Sequence, residues 1–188
     1  MYFAKYLKKL GCNPIVLTVD PKYASYNLKD LSLNSHIKDI ETYKTFSLEI
    51  LSLYSFFKSG NKTKGIPQSY IPNKSIFDKI TSFIRLNLFI PDSRIGWNFF
   101  AFQKAKKIIS FTEKIPHDIL IFAGDFNSSP ISKVYKYLTT KGFKSTIKET
   151  FGREIKTWPS NKPETCIDYI WVKGKNVEIC SAETFGES

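Results

Sequence analysis

An apolar run that stops abruptly at two polar residues is the feature that most constrains this chain. Residues 119–130 read I-L-I-F-A-G-D-F-N-S-S-P, and the first five predict a buried β-strand bounded by turn-forming residues. Asp125 and Asn127 then stand where the strand ends and a loop opens. Because side chains alternate along a strand, this spacing predicts that both point to one side, where a carboxylate accepts a proton and an amide contacts a phosphate oxygen. The spacing suits phosphoester cleavage.

The same residues allow a purely structural interpretation. An Asp and an Asn ahead of Ser-Ser-Pro also form a turn and cap a following helix. We expect that helix to be capped by Ser128 or Ser129, to have Pro130 in its first position and to end at Gly142. Taken alone, the motif gives the turn and the functional site about equal weight.

A second strand-like run carries another acid. Residues 166–172 read C-I-D-Y-I-W-V, and Asp168 stands where an apolar residue would cost less. A charge within such a run needs a partner or a functional site. Thr157 and Trp158 lie on the approach to Asp168 and are candidates for a substrate rim, although a Trp before a Pro is equally well explained as a packing anchor.

In this order, G-D-F-N-S-S-P, T-W-P-S and I-D-Y-I-W-V resemble the C-terminal half of the endonuclease/exonuclease/phosphatase family, over residues 113–188. The resemblance implies a four-layer α/β sandwich and metal-dependent hydrolysis of phosphodiesters or phosphomonoesters. It implies that Asp125 handles the proton of the attacking water, Asn127 contacts the scissile phosphate and Asp168 orients a catalytic histidine. The implied cofactor is Mg²⁺ or another divalent metal, and the implied partner is a phosphoester substrate, with nucleic acid among the candidates.

The resemblance is incomplete. In the family an Asp-His pair closely follows the last strand and a metal-binding Glu stands in the first half, whereas residues 182–188 here read A-E-T-F-G-E-S and no upstream segment matches that Glu. His36 and His117 stand elsewhere, the latter in an expected surface loop. We therefore assign no metal ligand and expect the chain by itself to be weakly active or inactive.

The first hundred residues predict a different unit. A helix over residues 2–10, stopped by Gly11, precedes the apolar run I-V-L-T-V at residues 15–19, and such a pair is typical of parallel α/β sheets. Further elements are predicted downstream: a strand over residues 37–46 and helices over 47–57, 75–88 and 96–110. The predicted fold class is therefore α/β.

Together with I-P-D-S-R-I-G-W at residues 90–97, these elements resemble the acceptor-side domain of two-Rossmann-domain glycosyltransferases. The resemblance implies binding of a glycan or lipid-linked acceptor and assigns no catalytic residue. The predicted organisation is a chimera: a partial Rossmann-like, glycosyltransferase-like domain at residues 1–109 and a partial endonuclease/exonuclease/phosphatase-like domain at residues 110–188. Such a chain arises by natural fusion or, as we favour, from a misassembled reading of two genes.

The chain is strongly basic. Its net charge of +11 and pI near 9.5 suit a polyanionic partner such as nucleic acid or an anionic membrane surface. The lysines are scattered and are not interleaved with aromatic residues, so a lysine-rich compositional bias is the plainer explanation. A non-enzymatic basic binding domain therefore stands as a third hypothesis, beside the hydrolase and the glycosyltransferase fragment.

Cysteine usage and hydropathy bear on location. Cys12, Cys166 and Cys180 have no metal-ligand spacing, and we expect them to be buried thiols of a reducing compartment. No leader pattern and no apolar run of transmembrane length is evident. We therefore expect a cytoplasmic location and no transmembrane segment.

Overall fold

The computed structural model describes residues 2–23, 39–48 and 95–184. Helices and strands are mixed within these ranges, so the predicted α/β class is confirmed. The chain divides into two compact units, Met1–Ile108 and Ile109–Ser188. The helices predicted over residues 47–57 and 75–88 lie outside the described residues.

The first unit contains a helix that leads into a parallel strand pair. Helix α1 (Tyr2–Lys9) ends just before Gly11, whose φ of 84° is a left-handed conformation that glycine adopts without steric cost. Strands β1 (Ile15–Val19) and β2 (Glu41–Thr45) pair in parallel. The helix and the strands predicted in this region are confirmed: β1 has the predicted bounds, whereas α1 and β2 are shorter than their sequence patterns.

Helix α2 (Ile95–Thr112) confirms the helix predicted over residues 96–110, and the division between the two units falls within it. Near its beginning the indole N–H of Trp97 donates to Thr45 Oγ1 at 2.6 Å. This bond joins the start of α2 to the end of β2 within the first unit. Among the described helices, none combines the length and the apolar composition needed to cross a membrane.

The second unit is built on an antiparallel sheet. Its elements in chain order are β3 (Ile119–Asp125), α3 (Lys133–Thr140), β4 (Lys144–Ser145), α4 (Thr146–Phe151) and β5 (Asp168–Gly174). Strand β5 lies between β3 and β4 and is antiparallel to both. The register places Phe122 opposite Trp171 and Asp125 opposite Asp168. Both strand-like runs of the C-terminal motifs are thus confirmed as strands.

One face of this sheet packs on the core of the unit. The buried cluster combines β5, α3 and neighbouring segments: Ile109, Tyr135, Leu138, Phe143, Cys166, Tyr169 and Trp171. Leu138 and Trp171 are each 1 % exposed, and burial of a side chain such as Leu138 contributes about 1.5–3 kcal/mol. The rings of Tyr135 and Trp171 meet edge to face with centroids 4.8 Å apart. These contacts fix α3 against β5.

The opposite face of the sheet is exposed. Ile119, Ile121 and Ile170 are 52 %, 60 % and 51 % exposed, and strand alternation places them on the side away from Phe122 and Trp171. The expectation that residues 119–123 form a fully buried strand is therefore wrong for one of its two faces. The reason is that α3 and the aromatic cluster cover only one side of this sheet.

The helix that follows the motif begins later than the sequence predicts. Ser132, rather than Ser128 or Ser129, is the N-cap of α3, and its Oγ accepts the N–H of Tyr135 at 3.2 Å. The N–H of Ser132 donates to the carbonyl of Ser129 at 3.0 Å, so a turn that includes Pro130 separates the motif from the helix. The motif loop and the helix cap are consequently different residues.

The three cysteines are free and differ in burial. Cys166 is buried as expected, whereas Cys12 and Cys180 are exposed, so the expectation of three buried thiols is wrong for two of them. Cys12 lies just after Gly11, and Cys180 lies in the non-regular segment after β5. Neither position packs into a core. The cytoplasmic location stays a prediction.

Candidate active site

Strands β3 and β5 bring the two predicted carboxylates together. Asp125 is the last residue of β3, Asp168 is the first residue of β5, and the two are direct partners in the antiparallel register. Directly opposed residues share a face of the sheet, with Cβ atoms about 4.5–5.5 Å apart. Both residues are exposed. The pair forms an acidic, solvent-accessible end of the sheet face that also carries Ile121 and Ile170.

Asn127 lies next to this pair for a different reason from the one the sequence suggests. Strand β3 ends at Asp125, so strand alternation does not orient Asn127. Instead the N–H of Asn127 donates to Asp125 Oδ1 at 2.8 Å, and Asn127 has a left-handed φ of 45°. Asn adopts this conformation more readily than most residues, and the bond is that of an Asx-turn. The turn holds Asn127 beside Asp125, so the turn interpretation and the functional-site interpretation of this motif are compatible.

Thr157 contacts the backbone of Asp168. Its Oγ1 accepts the N–H of Ile167 at 3.1 Å and the N–H of Asp168 at 3.3 Å. A hydroxyl oxygen has two acceptor lone pairs, which matches these two donors. The residue predicted to line a substrate rim thus fixes the beginning of β5, and the rim assignment stays a prediction.

Trp158 lies in a segment that is hydrogen-bonded back on itself. Its N–H donates to the carbonyl of Thr165 at 2.9 Å, and its carbonyl accepts the N–H of Thr165 at 3.0 Å. The peptide bond between Trp158 and Pro159 is cis, and the indole is half-buried. The rim role of Trp158 also stays a prediction.

Tyr169 belongs to the I-D-Y-I-W-V motif, which assigns it no role, and its side chain is buried on the face of β5 opposite to Asp168. Its hydroxyl lies 2.9 Å from the carbonyl of Ser128 and 2.9 Å from the carbonyl of Cys166. Burial raises the pKa of Tyr169 above its usual range, so the hydroxyl keeps its proton at neutral pH and acts as a donor. The sequence does place a Tyr inside a strand-like apolar run. A buried Tyr hydroxyl needs a hydrogen-bond acceptor, so this position indicates a specific polar contact but does not identify it.

The histidine of the second unit is remote from the carboxylates. His117 is exposed, as expected, and its Nδ1 lies 2.7 Å from the carbonyl of Ile115. His117 lies just before the first residue of β3, and Asp125 is the last residue of that strand. The six residue steps of β3 span about 20 Å, so the two residues lie at opposite ends of the strand. His36 lies outside the described residues. Among residues 2–23, 39–48 and 95–184, no imidazole is therefore within reach of Asp168.

The polar side chains at this end of the sheet can be compared with the ligand types that Mg²⁺ prefers. Asp125 and Asp168 carry exposed carboxylate oxygens, a ligand type that Mg²⁺ prefers, whereas the side-chain oxygen of Asn127 is buried. In the part of the chain that the structure describes, no three His, Cys, Asp or Glu side chains form a group able to hold a metal. Mg²⁺ does not require such a cage, because one or two carboxylates, water and substrate phosphate suffice. The pair therefore fits Mg²⁺ by donor type.

The model of the Endonuclease/Exonuclease/phosphatase family matches residues 80–188. The match covers more than half of the 188 residues and includes both carboxylates, so the chain belongs to this family. The family comprises phosphoesterase-type hydrolases, whose members typically use divalent metals. A search of curated proteins finds no match, and a search of solved structures finds none either.

The family match confirms the C-terminal resemblance and extends it upstream to residue 80. It therefore begins ahead of the predicted boundary between residues 109 and 110, and the two-domain division stays a prediction. The glycosyltransferase resemblance of residues 1–109 gains no support from the comparisons and likewise stays a prediction, as does the basic binding domain.

Proposed function

We propose that this chain is a metal-dependent hydrolase of phosphodiesters or phosphomonoesters, with Asp125, Asn127 and Asp168 at its active site. The observation that carries the proposal is the direct pairing of Asp125 with Asp168 at the open end of a sheet, in a chain that belongs to a phosphoesterase family. The loop after β3 adds Asn127, whose backbone is bonded to the Asp125 carboxylate.

In this mechanism Asp125 acts as a general base. Its carboxylate takes the proton of a water molecule as the water oxygen attacks phosphorus, and the bond from phosphorus to the leaving oxygen breaks. The bond from the Asn127 N–H to Oδ1 orients this carboxylate relative to the loop. General bases of this kind contribute about 10²–10⁴-fold to rate.

Asn127 binds the phosphate in the same mechanism. Its carboxamide N–H donates to a non-bridging oxygen, on which negative charge develops in the transition state. A donor held by the loop backbone needs no reorganisation at the moment of reaction, which is the condition for strong electrostatic stabilisation.

Asp168 affects how the site binds an anionic substrate, because its carboxylate adds a second negative charge. Two neighbouring carboxylates repel an anionic phosphoester, so binding requires positive charge at the pair. Mg²⁺ held by Asp168, beside the Asp125 general base, would supply that charge. Asp168 is also the residue expected to orient an imidazole, and no imidazole lies near it among the described residues. For this reason we propose that the activity of this chain alone is weak.

The test is hydrolysis by the full chain of bis-p-nitrophenyl phosphate, p-nitrophenyl phosphate and single-stranded DNA, with Mg²⁺ and with EDTA. We expect Mg²⁺-dependent turnover that Asp125→Asn lowers by about 100-fold or more. The matched control is Asp118→Asn, an exposed aspartate just ahead of the same strand, which should retain activity. Turnover that survives Asp125→Asn would remove the role of Asp125. A folded chain without turnover on any of the three substrates would refute the proposed function.

A further inference from the structure

We propose that Tyr169 is a positioning residue whose hydroxyl sets the placement of Asn127 relative to Asp168. The inference rests on the proposed function and deepens it, because it names what aligns the phosphate-binding amide with the second carboxylate. Tyr169 does not need to touch the substrate for this role, since it acts through the backbone of two loops.

The two acceptors of Tyr169 belong to the two chain segments that carry Asn127 and Asp168. The carbonyl of Ser128 belongs to the residue directly after Asn127, and the carbonyl of Cys166 lies two residues before Asp168. One phenolic oxygen lies 2.9 Å from both. The hydroxyl has one proton, which it donates to one of these carbonyls or shares between them, and it thereby links the loop that carries the amide to the segment that delivers the acid.

The ring of Tyr169 is held so that this bridge is rigid. Its centroid lies 5.6 Å from that of Phe126, 5.7 Å from that of Tyr135 and 5.6 Å from that of Trp171. Tyr169 is 4 % exposed. A buried ring packed on several sides has one rotamer available, so its hydroxyl defines a fixed point.

Other hydrogen bonds also hold the segments that carry Asn127 and Asp168. The N–H of Phe126 donates to the carbonyl of Ile167 at 2.8 Å, which continues the pairing of the two segments beyond the strands. Thr157 holds the N–H groups of Ile167 and Asp168. These bonds fix the backbone on either side of the carboxylate pair, whereas the Tyr169 bridge reaches Ser128, on the far side of Asn127. The hydroxyl therefore controls the turn that aims the amide.

The chain offers a matched control in Tyr135. It belongs to the same buried aromatic cluster, and its hydroxyl donates to Glu154 Oε1 at 2.7 Å. The other oxygen of Glu154 accepts a bond from Ser145 Oγ at 3.0 Å, so this network does not include the Asn127 loop. Tyr135→Phe and Tyr169→Phe each keep the ring and remove one buried hydroxyl. A merely structural role predicts equal effects of the two variants.

The experiment compares the full-length wild type, Tyr169→Phe and Tyr135→Phe. We expect similar losses of thermal stability in both variants, and a kcat that falls about 10–100-fold in Tyr169→Phe alone, with KM for bis-p-nitrophenyl phosphate nearly unchanged. In ¹H–¹⁵N spectra without substrate, we expect the backbone and side-chain amide signals of Asn127 and the backbone signal of Asp168 to shift in Tyr169→Phe and to stay in place in Tyr135→Phe.

The two readouts separate failure of this inference from failure of the proposed function. Unmoved Asn127 signals in Tyr169→Phe, or equal losses of kcat in the two variants, would overturn the positioning role. A wild type without turnover would instead refute the hydrolase, and the amide signals would still decide whether the Tyr169 hydroxyl aligns the two loops.

Discussion

Asp125 and Asp168 face each other across β3 and β5, with the last residue of one strand opposite the first residue of the other. Like charges directly opposed in an antiparallel pair destabilise it by roughly 0.2–1 kcal/mol. A fold retains such a pair more readily when a function requires it, because stability and function compete at active sites. The pairing therefore supports a functional role for both residues more strongly than either motif does alone.

This trade-off predicts opposite effects of one substitution. Asp168→Asn removes the repulsion while keeping the shape of the side chain, so we expect the free energy of unfolding to rise by about 0.2–1 kcal/mol and phosphoester hydrolysis to fall. Urea unfolding and the hydrolysis assay, run on the same preparation, measure both. In the control Asp118→Asn, both quantities should stay close to wild type, with stability within about 0.5 kcal/mol. If Asp168→Asn lowers stability clearly, the carboxylate has a structural role and the trade-off argument fails.

The left-handed conformation of Asn127 allows the turn to be separated from the chemistry. Asn127→Gly suits a φ of 45° and removes the carboxamide, so we expect stability within about 0.5 kcal/mol of wild type together with reduced hydrolysis. Asn127→Ala should cost about 1–2 kcal/mol more, because a Cβ disfavours this conformation. Full activity in Asn127→Gly would show that Asn127 serves only as a turn former, the interpretation that its sequence motif also allows.

The strands and the acidic residues of the site were predictable from local patterns. The runs at residues 119–123 and 166–172 are apolar and bounded by turn formers, which is sufficient to predict strands. Asp125 and Asp168 are conspicuous because each interrupts or ends such a run. Their direct opposition depends on the register of two segments about 40 residues apart, and only the paired backbone shows it.

Other features depend on tertiary contacts that the local sequence does not encode. Three serines and a proline follow Asn127, and each Ser is a suitable N-cap. Ser132 is the cap because a turn, closed by the bond from its N–H to the carbonyl of Ser129, precedes the helix. The exposed face of β3 was predicted as buried because an apolar run does not show which side of a sheet is covered. The sequence does not indicate the positioning role proposed for Tyr169, because the acceptor that a buried hydroxyl contacts depends on tertiary packing.

Acid sensitivity is predicted to centre on Glu113 in the second unit. Its carboxylate accepts bonds from Lys173 at 2.7 Å and from Lys141 at 3.3 Å. The bond from Lys173, with a smaller contribution from Lys141, holds the pKa of Glu113 below its ordinary value of 4.5. The pKa of Glu113 is lower in the folded state than in the unfolded state. Ionised Glu113 therefore stabilises the fold above about pH 4.5, and this contribution is lost as the pH falls through the pKa of the folded state.

Glu113→Gln should therefore lower the free energy of unfolding near neutral pH and have no effect at low pH. Because the side chains are partly exposed, we expect the free energy of unfolding to fall by about 0.5–1 kcal/mol at pH 7. The difference should vanish at about pH 2, where residue 113 is neutral in both wild type and variant. Urea unfolding across this range measures the difference. The control is Glu149→Gln, which breaks one looser and more exposed pair with Lys144 at 3.7 Å and should change stability less. A difference between wild type and Glu113→Gln that persists undiminished at low pH would show that residue 113 acts through packing and not through its charge.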